Sequence, residues 1–217
     1  MKKIINKKLP TFLGIIILVL IIVIAFLLTN YVRESMKKDE QENLLLRAGM
    51  IALMLDRDRV RDLDGNASDT EKPSYTSLKR TLEHVRALNS DSRFIYIMGL
   101  DEDDQQFFMV DSEPSNSPDF SGPGDLYLDA TESDIYNHKA GISYTDGPYT
   151  DSWGEWFSAY APILGKNKEV LGMVGIDVAA ERMLLRINIV QQAIFVIFSL
   201  LFYITLLFVL TRRRILT

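Results

Sequence analysis

Residues 147–163 read GPYTDSWGEWFSAYAPI and residues 172–178 read GMVGIDV. In the first, apolar and polar side chains alternate with a period of two. This puts Trp156, Ser158 and Tyr160 on one face of a strand and Glu155, Phe157 and Ala159 on the other. In the second, Met173, Gly175 and Asp177 share a face, and a glycine at mid-strand leaves room for another group to approach. Tyr144, Tyr149, Trp153, Trp156, Phe157 and Tyr160 crowd this region and include both tryptophans of the chain. Aromatic rings with polar tips suit a pocket around a small polar molecule, although any one of them is equally at home in a core.

Working outward, residues 155–163 and 170–178 read as two strands joined by a turn at Gly165-Lys166-Asn167-Lys168. Phe94–Met98 and Phe107–Val110 form a hairpin with the acidic tip Asp101-Glu102-Asp103-Asp104, and a short strand is expected near 141–144. Residues 112–125, rich in Pro, Gly and Ser, read as a long loop, and Asp64–Asp69 as a shorter one. Leu78, Leu82, Val85 and Leu88 give 75–89 a helical period. Tyr31–Arg61 holds no Pro and one Gly, and Leu44, Leu45, Ala48, Ile51, Ala52 and Leu55 recur at helical spacing, which predicts one long helix. That helix can dock on its own sheet or also meet a parallel partner helix from a second subunit. The whole is an α+β domain of about five antiparallel strands with a long N-terminal helix.

The formal charge of −5 conceals three unlike regions. Residues 1–30 and 187–217 hold no acidic residue, so all 29 Asp and Glu fall between them, against 17 Lys and Arg. An acidic body without a basic stripe does not suit nucleic acid. The absence of cysteine excludes disulfides, a thiol nucleophile and Cys-ligated metal. Residues 12–28 (FLGIIILVLIIVIAFLL) and 193–210 (AIFVIFSLLFYITLLFVL) carry no charge and are long enough to span a bilayer. The first is taken as an uncleaved anchor rather than a signal peptide, because Tyr31-Val32-Arg33-Glu34 offers no small-x-small cleavage site. Lys2, Lys3, Lys7 and Lys8 precede the first run and Arg212-Arg213-Arg214 close the second, so both termini are expected in the cytoplasm of the cell. The expected organisation is a basic N-terminus (1–10), a first span (11–30), an extracytoplasmic domain (31–186), a second span (187–211) and a basic tail (212–217).

The run from Gly147 to Ile163, followed by Gly172–Val178, resembles the second half of extracytoplasmic Cache domains, the PAS-like sensors of bacterial chemoreceptors, histidine kinases and diguanylate cyclases. Phe94-Ile95-Tyr96-Ile97 and Val110-Asp111-Ser112-Glu113-Pro114 resemble the first hairpin of that family. The resemblance covers Tyr31 to Arg182 and is of the single-Cache type. It implies a pocket for a small-molecule ligand between the sheet and the connecting insertion, and, carried over by matching position, the ligand-binding candidates Tyr96, Asp111, Tyr149, Trp153, Trp156, Tyr160 and Asp177. The arginine that precedes a Trp-Tyr pair in amino-acid-binding double-Cache receptors is absent.

Other motifs carry less. The acidic tip lacks the spacing of a calcium loop, His84 and His138 read as ordinary surface or interface residues, and Asn66-Ala67-Ser68 matches a glycosylation sequon by pattern alone. No phosphate loop, nucleophile elbow or zinc motif is present, and neither an enzyme activity nor a cofactor is implied. The reading is therefore a two-span membrane sensor, a homodimer, that passes a signal through its second span to a cytoplasmic output, supplied either by a partner in trans or by a downstream segment lost from a truncated receptor, since only three residues follow Arg214. The alternative is an accessory membrane subunit whose ligand-free domain serves docking or dimerisation.

Overall fold

A computed structural model describes residues 8–216, with side chains over 12–211. The chain divides into two compact units, one formed by 39–183 and the other by the described parts of 1–38 and 184–217. In the second unit, helices α1 (Lys8–Met54) and α5 (Ala180–Leu216) supply stretches long and apolar enough to cross a membrane. They touch where Gly14 meets the Val209 side chain, which a Cβ at position 14 would approach to 2.4 Å.

Unit 39–183 is an α+β domain. Its five-stranded antiparallel sheet has the order β2-β1-β5-β4-β3, from β1 (Ser92–Leu100), β2 (Gln106–Asp111), β3 (Tyr144–Asp151), β4 (Gly154–Leu164) and β5 (Val170–Ala179). Central β5 lies between β1 and β4, so Tyr96 and Tyr160 both face Gly175, and Ser158 faces Asp177. Alternation along β1 sends Phe94, Tyr96 and Met98 to one face and Ile95 and Ile97 to the other, all of them buried. Helices α2 (Arg57–Arg61) and α3 (Pro73–Leu88) pack against the sheet, α3 burying Tyr75, Leu78, Leu82 and Val85. On α1, Leu44, Ala48, Ile51 and Ala52, with Leu55 just past its end, form a second buried stripe.

The expected elements are present with four departures. The long helix stops at Met54, because the Asp56 carboxylate accepts the N–H groups of Asp58 (3.0 Å) and Arg59 (3.4 Å) and starts α2 as a separate helix. The loop expected at Asp64–Asp69 gives way at its end to a 3-10 turn, residues 67–71, closed by a reciprocal Asn66–Asp69 capping box. The stretch before β3 contains a helix, α4 (Glu132–Ala140), capped by Thr131 and Asp134 and terminated by Gly141 at φ +62°. The strand expected at 141–144 instead runs from Tyr144 to Asp151. Pro148 is accommodated within this strand because β3 is the sheet edge, where proline forfeits no ladder partner, and its register with β4 shifts between Asp146 and Tyr149.

Candidate functional site

One face of the sheet carries a cluster of Phe94, Tyr96, Met98, Phe108, Trp156, Tyr160 and Met173, against which Tyr127, Tyr144, Tyr149 and Trp153 pack. The rings meet edge to face or stacked, as between Phe94 and Trp156 (centroids 5.2 Å apart) and Tyr144 and Tyr160 (4.7 Å). Between this cluster and the insertion lies a narrow cavity of about 20 Å³, partly open to solvent. Its walls are five aromatic rings, Phe94, Tyr96, Phe108, Tyr127 and Trp153. Its polar lining consists of Ser121 and the carboxylates of Asp111, Asp119, Asp151 and Asp177.

The four carboxylates stand in different environments. Asp151 Oδ1 accepts the backbone N–H groups of Trp153 (2.9 Å) and Gly154 (3.1 Å) and the indole N–H of Trp156 (2.8 Å), which fixes the β3–β4 turn and both tryptophans. Asp111 accepts the N–H of Glu113 on one oxygen (2.9 Å) and that of Ser121 on the other (3.0 Å), tying the insertion to the end of β2; burial pushes its carboxyl up to about 6. Asp119 is held by Arg93 at 2.6 Å, and that guanidinium also pairs with Glu113 and lies 4.2 Å above the Phe94 ring.

Asp177 is buried like Asp111, with 4% of its surface exposed. Its Oδ1 accepts from Ser158 Oγ (2.6 Å) and from the Tyr96 hydroxyl (3.2 Å). Burial pushes its carboxyl up to about 7, against the opposing effect of those two bonds. The hydroxyl protons follow from the donor inventory. Ser158 spends its only proton on Asp177, so Tyr149, 2.9 Å away, donates to Ser158 Oγ, and Tyr160 donates to Tyr149 at 3.3 Å. Burial, before any charge effect, raises the Tyr96, Tyr149 and Tyr160 phenols, so all three remain donors at neutral pH. The chain Tyr160→Tyr149→Ser158→Asp177 runs one way and ends on Oδ1. Among the described residues Oδ2 receives no hydrogen bond, and Asp177 lines the cavity.

Of the residues singled out in the sequence, Tyr96, Asp111, Trp153 and Asp177 line the cavity. Tyr149, Trp156 and Tyr160 stand behind that lining and orient Asp177 and Asp151. Phe94, Phe108, Asp119, Ser121, Tyr127 and Asp151 complete the wall. Phe94 follows from β1 alternation with Tyr96, whereas Asp119, Ser121 and Tyr127 lie in an insertion with no period to reveal their direction. His138 departs from its expected surface position. It is 3% exposed, with Nδ1 3.4 Å from Gln106 Nε2, and burial lowers its pKa to about 4, so the ring is neutral. His84 is exposed as expected, and the acidic tip is solvated, with Asp104 paired to Lys139. Among the described residues no cluster of three acidic or histidine side chains could hold a metal ion.

No protein-family model matches the sequence, and no curated protein matches it. Among solved structures, the chain is similar to the sensor domain of Escherichia coli DcuS, with a TM-score of 0.48 and 18% identity over 73% of this chain and 98% of that one. It is also similar to the ligand-binding domain of the Campylobacter jejuni chemoreceptor Tlp3 in complex with 4-methylisoleucine, with a TM-score of 0.44 and 14% identity over 73% of this chain. The chain spans 57% of that receptor domain.

Proposed function

We propose that the protein is a two-span membrane sensor that encloses a small solute in the aromatic cavity and signals through its second span. Asp177 carries this reading: a carboxylate only 4% exposed lines the cavity with hydrogen bonds on Oδ1 alone among the described residues, so its second oxygen is available to a solute. Asp177 also lies three residues before α5 begins at Ala180, so a solute that repositions it acts on the strand that continues into that helix.

The same proposal places 11–30 and 187–211 in the bilayer, 31–186 outside and both basic ends in the cytoplasm, where a partner protein receives the signal. Copies held in one membrane share an orientation, and on α1 the apolar residues Leu46, Met50 and Leu53 are exposed at heptad spacing. A second copy packing in parallel on this stripe gives the homodimer. Full-length protein in detergent, screened against a broad solute panel by thermal shift and tryptophan emission, tests the binding role. A saturable hit supports it. A silent panel, with Trp156→Ala indistinguishable from wild type throughout, favours the accessory docking subunit.

A further inference from the structure

We propose that a polar stripe on α5 pairs in parallel with the same stripe of a second copy, the Tyr203 hydroxyl of each copy donating to the partner's Ser199 Oγ. This rests on the reading that 187–211 crosses the bilayer, and it gives the homodimer a contact beyond the α1 stripe. Asn188, Gln192, Ser199 and Tyr203 are all exposed. They form two i,i+4 pairs eleven residues apart, so at 3.6 residues per turn the four lie within about 60° of one another. Val209, which meets Gly14 of α1, lies about 90° around the helix from the middle of the stripe, so this contact leaves the stripe uncovered.

Hydrocarbon offers no hydrogen bond, so a polar side chain in a span is satisfied by its own helix or by a neighbouring one. The two threonines of this span take the first course: Thr205 and Thr211 each donate to the carbonyl four residues back, of Leu201 and Leu207, at 2.8 Å. Ser199 and Tyr203 make no hydrogen bond among the described residues. Ser199 is the middle residue of 187–211, and Tyr203 lies about one turn farther on, about 12 Å along the axis from Thr211. Tyrosine is ordinarily enriched at the membrane surface, where its hydroxyl is wet. At position 203 the rigid ring carries the hydroxyl clear of its own backbone but leaves it short of that surface. Side chains lean toward the N-terminus of a helix, which brings the Tyr203 hydroxyl to the level of Ser199. Copies inserted in one membrane share an orientation, and a two-fold axis forms the Tyr203–Ser199 pair twice, once in each direction. Tyrosine supplies the proton and serine accepts it, so the stripe is complementary to itself. Asn188 and Gln192, each both donor and acceptor, repeat the arrangement nearer the start of α5.

The test uses the full-length protein in membranes, where the absence of cysteine makes each introduced thiol unique. Phe195 lies between Gln192 and Ser199 on their side of α5, whereas Ile197, two residues on, faces the opposite side; both are exposed. Phe195→Cys crosslinking at least tenfold faster than Ile197→Cys under membrane-permeant iodine supports the interface. Tyr203→Phe removes one oxygen and keeps the ring. In the Phe195→Cys background it should slow crosslinking about threefold or more, and Ser199→Ala should do the same. The two changes together should slow it no further, because each breaks the same pair. Equal rates at 195 and 197 overturn the inference. Rapid crosslinking at 195 that ignores Tyr203→Phe overturns it, as does slowing that multiplies in the double variant. Absence of a crosslinked dimer at 195 overturns it too, and a second protein captured there instead gives the stripe to that protein's span. Release of the chain from membranes by carbonate at high pH overturns the bilayer placement along with the inference, whereas the other failures leave both that placement and the solute-binding reading standing.

Discussion

The ring of Tyr96 lies against Gly175, in the space a side chain there would occupy. A Cβ at position 175 would stand 2.2 Å from Tyr96 Cε2 and 2.8 Å from its hydroxyl oxygen. The contact is made between paired residues of neighbouring strands, and it places the Tyr96 hydroxyl on Asp177, two residues farther along β5. Gly175→Ala therefore displaces the ring and lengthens the Tyr96–Asp177 bond. A destabilisation of about 1–3 kcal/mol is expected, the usual cost of overpacking a filled core. In the double variant Gly175→Ala/Tyr96→Leu the shorter side chain relieves the clash, so the combined cost falls below the sum of the two single costs in chemical denaturation. Strict additivity would show that the ring and the glycine are not coupled.

Asp177 makes stability depend on pH in a direction opposite to an ordinary surface carboxylate. Its folded pKa, near 7, lies above the unfolded value of about 4, so between these pH values the folded state holds a proton that the unfolded state has released. Its contribution is fully present below the unfolded pKa and is lost as pH rises through 7. Asp177→Asn removes this titration but leaves the similarly raised Asp111 in place. The melting temperature of the variant relative to wild type should climb from pH 4.5 to pH 7 and level off above it. A difference that stays constant across this range contradicts the buried titration.

Most of this arrangement was legible in the sequence because strand alternation is strict. Once 155–163 is a strand, Trp156, Ser158 and Tyr160 must share a face, and they do, beside Phe94 and Tyr96. What alternation could not supply is the insertion. Asp119, Ser121 and Tyr127 reach the cavity from irregular backbone, where direction is set by bonds such as Ser121 N–H to Asp111 and Arg93 to Asp119, between residues far apart in sequence. Helix α4 was within reach, since Thr131-Glu132-Ser133-Asp134 is a capping box and Gly141 a stop signal. Its weak apolar period concealed it. The burial of His138 has no signal in the local sequence, because its seat against Gln106 is a tertiary contact.

The turn ahead of α3 rests on one side chain. Asp69 is fully buried, and its carboxylate accepts the N–H groups of Asp64 (2.9 Å), Gly65 (2.7 Å) and Asn66 (3.3 Å) while pairing with Lys72 at 2.7 Å. Burial opposes its charge, but the donors outweigh it and hold the carboxyl below the usual range. Asp69→Ala strands three N–H groups and should cost about 3 kcal/mol or more by denaturant unfolding. The sign of its pH dependence is the reverse of that of Asp177. Stability from Asp69 is present above about pH 4 and declines as pH falls toward the depressed folded value. The wild-type advantage over Asp69→Ala should therefore shrink between pH 5 and pH 3. An advantage that persists unchanged at pH 3 would assign the cost of the substitution to packing instead.

The absence of cysteine makes the proposed dimer open to a clean crosslinking test. Leu53 is 74% exposed on α1, whereas Leu44, Ala48, Ile51 and Leu55 turn their faces inward. If two copies meet in parallel along Leu46, Met50 and Leu53, the Leu53 side chains of the pair face each other, and Cα atoms about 4.4–6.8 Å apart allow a disulfide. A single Leu53→Cys substitution in membranes should give a covalent dimer within minutes of mild oxidation, while Cys at exposed Glu155 on β4 should not. Leu46→Asp in the Leu53→Cys background puts like charges on the seam and should slow the reaction at least tenfold. Equal crosslinking rates at positions 53 and 155 would mean random collision in the bilayer and leave the α1 stripe without a partner copy.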